Sequence, residues 1–362
     1  MSTLMQLLGI ATPIVQAPMA STATPAMAAA VSNAGGLGSI GIGPVAVEPA
    51  RAMIHQIREA TDRPFHVNLF CNRPAIADPE REAAWIAYLT PLYARFGVQP
   101  PTALIESYAS YLVNDAMHAM VLEERPPIVS FHFGLPEAAR IAEFHDAGIM
   151  LMASATNLDD AQAIEAAGID VVIAQGIEAG GHRGVFDPKL PDQELSTFAL
   201  TRLLVRELSI PVISAGGIMD GAGIAACLAL GAGAAQLGTA FISCPESAAD
   251  DAYRAALLGE AANRTRLTKV ISGRPARGIV NDYIILGEAP EAPPVPDYPR
   301  AYYATRAMSV AANVAGVSGY SVQLAGQGAM LSRAMPAADL VATLRAELNV
   351  AITNLDLLTT RA

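Results

Sequence analysis

One rhythm limits what this chain can become. Short β-rich or small apolar runs, each bounded by turn residues, alternate with helix-like segments about eight times over roughly 240 residues. The runs are 13–19 (PIVQAPM), 37–43 (LGSIGIG), 65–70 (FHVNLF), 128–134 (IVSFHFG), 149–155 (IMLMASA), 170–176 (DVVIAQG), 211–217 (PVISAGG) and 234–241 (AAQLGTAF). Segments 25–33, 49–61, 136–147, 157–167, 197–208 and 220–230 read as the helices between them. Several open on Pro, Asn, Thr or Asp and close near Gly, the usual asymmetry of helix ends. Strand-then-helix repeated in this way predicts an α/β fold of the (β/α)8 TIM-barrel type. A doubly wound open sheet competes. It fits less well, because the sixth, seventh and eighth runs all end in polar or glycine clusters of similar character.

Two segments break the rhythm. Residues 72–127 look helical and carry Trp85, Tyr88, Tyr93, Phe96, Tyr108 and Tyr111. Residues 245–320 are mixed and include the proline-rich stretch Glu288–Arg300, a stiff connector rather than a helix. The organisation predicted is a barrel made of 1–71, 128–244 and 321–362, with an amphipathic closing helix at 339–358. The insertions 72–127 and 245–320 would form a helical cap or substrate-binding domain.

Composition narrows the surroundings. Apolar residues are 52% and charged residues 16%, so a large buried core is expected. The net charge of −11 argues against nucleic acid or an acidic membrane as a general partner, while leaving room for a local anionic site. Cys71, Cys227 and Cys244 show no CxxC spacing, which suits a reducing cytoplasm and suggests no zinc site. The apolar N-terminus has no Lys or Arg before Arg51 and is broken by Pro13, Pro18 and Pro25, unlike a signal peptide. The uncharged span Gly221–Ile242 is long enough for a membrane helix, but its five glycines recommend a helix followed by a buried strand. The expectation is a cytoplasmic protein; a homodimer is compatible with the sequence and not required by it.

In such barrels the chemistry gathers at the carboxyl ends of the strands. Those ends offer Pro18-Met19, Asn68, His132, Ser154, Gln175, His182, Ala215-Gly216-Gly217 and Gln236-Leu237-Gly238-Thr239. Loops after the seventh and eighth strands commonly cradle a phosphate through backbone N–H groups. Gly216-Gly217 and Gly238-Thr239 suit that use. Each pair alone could merely permit a tight turn; two pairs on consecutive strands favour the phosphate. Gly221-Ala-Gly223 and Gly231-Ala-Gly233 lack the third glycine of a dinucleotide fingerprint. Amides at Asn68, Gln175, Gln236 and Gln327, with apolar backbone at Pro18-Met19, suit a flat, hydrogen-bonding ring system bearing one phosphate. Flavin mononucleotide (FMN) meets that description.

The stretch GIEAGGHRG, residues 176–184, leaves the sixth strand. Gly180-Gly181 would let the loop pass close to the cofactor. His182 would then be a general base or hydrogen-bond donor over the ring, or else a loop histidine tied to Glu178 or solvated. His132, between Phe131 and Phe133, points at the site or is a satisfied core histidine. Arg183 screens an anionic substrate or pairs with Glu178.

At these residues the chain resembles a family. QAPMA, AAAVSNAGGLGSIG, SFHFG, QGIEAGGHRG, PVISAGGI, AAQLGTAF and CPES together resemble the class I nitronate monooxygenases, formerly 2-nitropropane dioxygenases, over most of residues 13–335. EAGGH alone is shared with flavin-dependent enoyl reductases of the same superfamily. The resemblance implies an FMN-binding barrel with a helical substrate domain. It implies oxidation of alkyl nitronates such as propionate 3-nitronate, with O2, to a carbonyl compound and nitrite. His182 falls at the family's active-site histidine and His132 at its second. Asn68, Gln175, Gly180, Gly217 and Gln236 through Thr239 fall where the family holds the flavin. Tyr298, Tyr302 and Arg306 take the spacing of the family's tyrosines and lysine; arginine keeps the charge but not the geometry. One face of a helix packing on the cap is the alternative for these three. Gly326-Gln327 matches the family's GQ. The rival functions are an FMN-dependent enoyl or quinone reductase using NAD(P)H, and a flavin carrier without turnover.

Overall fold

A computed structural model describes residues 3–359. Residues 1–2 and 360–362, the outermost parts of the anticipated barrel spans, lie outside the described residues. Eight parallel strands form the sheet: β1 (Ile14–Gln16), β2 (Gly38–Gly41), β3 (Phe65–Phe70), β4 (Ile128–His132), β5 (Met150–Ala155), β6 (Val171–Gln175), β8 (Val212–Ala215) and β9 (Ala234–Leu237). The two-residue strand β7 (Gly181–His182) belongs elsewhere. The order β1-β9-β8-β6-β5-β4-β3-β2 returns to its start through the parallel bridge Val15–Leu37, which closes the ring as a TIM barrel.

Period-two alternation sorts the side chains. Along β6, Val171 and Ile173 join an interior cluster with Val15, Leu37, Met152 and Ile213. Val172 and Ala174 join the layer between strands and outer helices. Helix α1 (Thr3–Leu8) adds Leu4 and Leu8 to the interior cluster and plugs the end where the strands begin.

The outer ring contains α2 (Pro25–Asn33), α3 (Val47–Ala60), α6 (Ala138–Asp146), α7 (Leu158–Ala166), α8 (Thr197–Glu207) and α9 (Gly221–Ala229). Thr24, Asn157, Ser196 and Asp220 each accept a first-turn backbone N–H, so α2, α7, α8 and α9 begin where short polar side chains cap them. Helix α14 (Ala337–Thr359) packs Leu340, Val341 and Leu344 against Ile224 of α9 and Met27 and Val31 of α2. The uncharged span 221–242 is α9, β9 and the short helix α10 (Thr239–Ile242). Among the described residues no helix is long and apolar enough to cross a membrane.

The eighth run is therefore shorter than expected. Its strand ends at Leu237, because Gly238 leaves the extended conformation and Phe241 N donates to its carbonyl at 2.9 Å, starting a helical turn. From the insertions, α4 (Pro79–Arg95), α12 (Asp282–Gly287) and α13 (Arg300–Val314) share one cluster of Trp85, Leu89, Tyr93, Tyr283, Ala304 and Met308. Arg300 grips Glu82 through two bonds of 2.6 and 2.8 Å. Helix α5 (Asp115–Glu124) instead sends Met117, Met120 and Val121 into the barrel's outer layer beside Ile54 and Ile57. The hairpin β10 (Thr265–Thr268)–β11 (Ala276–Ile279) pairs antiparallel with β7, placing His182 opposite Ala276. Helix α11 (Asp251–Leu258) lies just before that hairpin.

Candidate active site

A cavity of about 490 Å³ opens at the carboxyl ends of the strands. Pro18, Met19, Asn68, Gln175, Gly180, Gly181, Ala215, Gly216, Gly217, Gln236, Gly238 and Thr239 line it, as do His132 and His182. Three expected residues do not. Leu237 is 1% exposed and packs behind its strand with Ile14 and Phe241, because successive strand residues face opposite sides. Gln327 is exposed, and among the described residues it is its backbone N–H that is engaged, with Glu178 O at 2.9 Å. Tyr298 precedes α13 rather than riding on it, so the spacing of four is helical only for Tyr302 and Arg306, both of which line the cavity. Tyr298 still meets the site from behind: its ring is 5.4 Å from that of His182, and its hydroxyl pairs with Tyr108, which lines the cavity.

The β6–β7 loop is held by Gln175. Its Nε2 donates to His182 O at 3.0 Å and its Oε1 accepts Gly184 N at 2.8 Å. The same carbonyl of His182 lies 3.2 Å from His132 Nε2. A carbonyl only accepts, so Nε2 of His132 carries the proton and the neutral ring keeps Nδ1 as acceptor. His182 Nε2 meets Ser272 Oγ at 2.8 Å. Burial pushes the His182 pKa down to about 3 and that of His132 to about 4, with the nearby cations adding to both shifts. Both rings are neutral at pH 7.

Neither expected role of Arg183 holds. Its guanidinium is fully buried, pairs with Asp192 at 2.7 and 3.1 Å, and donates to Gln175 O and Gly176 O at 2.9 Å each. Glu178 accepts Thr197 N and Oγ1 at 2.8 Å each, while the partners anticipated for it are engaged elsewhere, His182 with Ser272 and Arg183 with Asp192. Gly180, which lines the cavity, is also required by the protein itself. A Cβ there would come within 2.5 Å of Gly326 N, so protein backbone demands the glycine. Gly216 and Gly217 take φ of +124° and +68°, which L side chains adopt at a cost.

Several site residues escaped the sequence reading. Buried His66 bridges Ser39 Oγ at 2.9 Å and Ser130 Oγ at 2.5 Å, and Asn68 Nδ2 donates to that Ser130 Oγ at 2.7 Å. This polar chain fixes the Asn68 amide below the cavity and leaves its Oδ1 as the atom to offer. Phe70, Phe133, Tyr108 and Tyr253 add aromatic wall. Arg306 is exposed at the rim and, among the described residues, makes no ion pair or hydrogen bond.

The family model described as Nitronate monooxygenase matches residues 1–347. The chain belongs to the nitronate monooxygenase family. It is 56% identical over 352 residues to a nitronate monooxygenase of Paraburkholderia phytofirmans, covering 97% of this chain and 96% of that one. A nitronate monooxygenase of Pseudomonas aeruginosa is 54% identical over 343 residues, covering 95% and 98%. Among solved structures, nitroalkane oxidase from Streptomyces ansochromogenes superposes with a TM-score of 0.88 at 39% identity, over 98% of this chain and 100% of that one. FabK from Thermotoga maritima gives 0.74 at 29% identity, over 98% of each chain. As a member of the nitronate monooxygenase family, the chain is an oxidoreductase acting on nitronates.

Proposed function

We propose that this family member is an FMN-dependent enzyme of the cytoplasm. It oxidises small anionic alkyl nitronates, such as propionate 3-nitronate, with O2 to a carbonyl compound and nitrite. The observation carrying this reading is an unsatisfied cradle in the cavity that two neutral histidines also line. Gln236, which lines the cavity, has its Oε1 buried without a hydrogen-bond partner among the described residues, although such atoms are rarely left unpaired. A Cβ at Gly238 would meet nothing nearer than Ala17 Cβ at 3.4 Å and Met19 Sδ at 3.6 Å, both on the cavity wall. Protein packing therefore does not require that glycine, whereas a group approaching the Gly238 backbone does. The cavity falls in the range of about 300–1,000 Å³ usual for small-molecule sites. Amide acceptors, glycine backbone and apolar walls fit a flavin with one phosphate.

When bound, the flavin supplies the electron acceptor and its reoxidation by O2. The residues of the chain do the rest. A nitronate is already a deprotonated carbanion equivalent, so no strong base is needed; with the Ser272 hydroxyl donating to Nε2, neutral His182 keeps its proton on Nδ1 to donate to the nitronate oxygens. His132 supports the loop carbonyl that positions His182. Arg306 offers positive charge at the rim. Phe70, Phe133 and Tyr108 exclude water from the reacting carbon.

The test begins with an absorbance spectrum of the purified protein and identification of the released chromophore by mass. Anaerobic nitronate should bleach it. His182→Ala should keep the chromophore and lose about 10²-fold in kcat/KM, the scale of one lost anion-stabilising donor. Undiminished turnover would remove His182 from the mechanism. Bleaching by NAD(P)H and not by nitronate would move the protein to the reductase reading, which the FabK likeness keeps in play.

A further inference from the structure

The loop between β10 and β11 runs behind the cavity wall and carries Ser272 and Arg274. Arg274 is 2% exposed. Its guanidinium stands 4.3 Å from the centroid of the Phe133 ring. One terminal nitrogen donates to Val185 O, and its Nε is buried with no hydrogen-bond partner among the described residues. Among the described residues no carboxylate comes within 4.0 Å of it. The acids that act on it, Asp297, Asp187 and Asp160, do so from further off; Asp297 is already held by Arg73 at 2.9 and 3.0 Å, and Asp160 accepts Asn157 Nδ2 at 3.0 Å. A buried guanidinium with no counter-ion is far less favourable than a paired one. Such a charge points outward to whatever negative group the site admits.

Phe133 is the spacer. It holds a left-handed backbone, φ +75°, which a bulky residue adopts only under constraint. One neighbour is the His132 ring at 4.4 Å; another is the His182 ring, edge-on at 5.8 Å. Ser272 Oγ, 3.3 Å from both Arg274 N and Arg274 O, completes the link by bonding His182 Nε2.

We propose that Arg274 is a positioning residue for the reaction: a buried positive charge behind Phe133, with no carboxylate paired to it, that draws an anionic substrate to His132 and His182. This rests on the reading of His182 as the group that meets the nitronate. The other groups facing the imidazole pair are Tyr298 and Tyr108 from the cap, Ser272 from the hairpin, and Phe133, Gln175 and Arg183 from the barrel. Burial raises both tyrosines above the usual phenol range, so they stay uncharged. Burial is the main cause of the low histidine pKa values, and the Arg274 charge acts in the same direction on both.

The experiment is an NMR titration of labelled imidazoles in the cofactor-bound enzyme, alongside steady-state kinetics. In the unaltered protein neither His132 nor His182 should protonate above pH 5; a midpoint near 6.5 for either overturns the proposal. Arg274→Gln keeps a donor for Val185 O without the charge. It should raise the imidazole midpoints by about one unit and raise KM for the nitronate roughly tenfold. Arg274→Lys should restore both. A folded Gln variant with unshifted midpoints, or a Lys variant no better than Gln, rejects the role. Should the Gln variant not fold, Arg274→Met, which keeps the length of the side chain without its charge, is read by the same midpoints and KM. Turnover undiminished in His182→Ala would instead sink the reading of His182, while the shifted midpoints in Arg274→Gln would stand.

Discussion

At the scale of single residues, the site depends on atoms left over after the protein has satisfied its own needs. Gln175 spends both ends of its amide on the β6–β7 loop, whereas Gln236, which lines the cavity, leaves its Oε1 unpaired among the described residues. The glycines divide the same way. Gly180 is required by the Gly326 backbone, but Gly238 has only ordinary contact distances around the place of a Cβ. Gly238→Ala should therefore leave folding stability within about 0.5 kcal/mol. The same methyl should weaken flavin binding roughly tenfold, about 1.4 kcal/mol. Flavin fluorescence quenching measures the second quantity and urea unfolding the first; loss of stability with unchanged flavin affinity would make Gly238 a packing glycine. Of the residues expected at the mouth, most were legible because a strand end announces itself by a switch from apolar to polar or glycine. Ser272 and Arg274 gave no such sign. They reach the neighbourhood of His182 only because β11, some ninety residues away, pairs with β7, and nothing local in ISGRPARG reports that pairing.

At the scale of elements, the cap acts through α13. Tyr302 and Arg306 stand one turn apart on it and face the cavity, while Ala304, Met308 and Ala312 bind it to α4. Its position is thus set by burial on the opposite face. Met308→Ala would open a void in a fully buried position and cost about 2–5 kcal/mol. The expected kinetic result is a raised KM with kcat less affected, since α13 presents the rim while the histidines ride on the barrel and hairpin. A fall in kcat with KM unchanged would show that α13 contributes nothing to substrate capture. The strand–helix alternation was readable because each element carries its own period and punctuation. The three-stranded sheet β10-β11-β7 was not readable, because a two-residue strand has no periodicity of its own and exists only through its partners.

At the scale of the whole molecule, three buried imidazoles link folding to pH. His66, His132 and His182 have folded-state pKa values of about 3, 4 and 3, all lowered first by burial, against an ordinary value near 6.5. The unfolded chain binds more protons than the folded one below that ordinary value, so stability falls as pH drops from about 6.5. Each imidazole contributes up to about 1.4 kcal/mol per pH unit in that window. The ion-paired carboxylates of Glu82, Glu124 and Asp192, held low by their arginine partners against the opposing effect of burial, add their own loss only below about pH 4.5. Urea midpoints measured at pH 7.5 and 5.5 should therefore differ well before the carboxylates titrate. Equal midpoints would mean these rings are hydrated or already charged.

The sequence by itself determined the barrel, its strand ends and hence which loops share one mouth, because alternation, caps and glycine stops are local properties of the chain. It also carried the family's motifs. Only the tertiary structure decided which polar atoms at that mouth are spent and which are spare: Arg183 turns into Asp192, Glu178 caps α8, Tyr298 backs His182, and Arg274 is buried without a counter-ion. Hydrogen bonds and charges are satisfied by whatever the fold brings within about 3 Å, and that distance is set by packing between segments far apart in the chain.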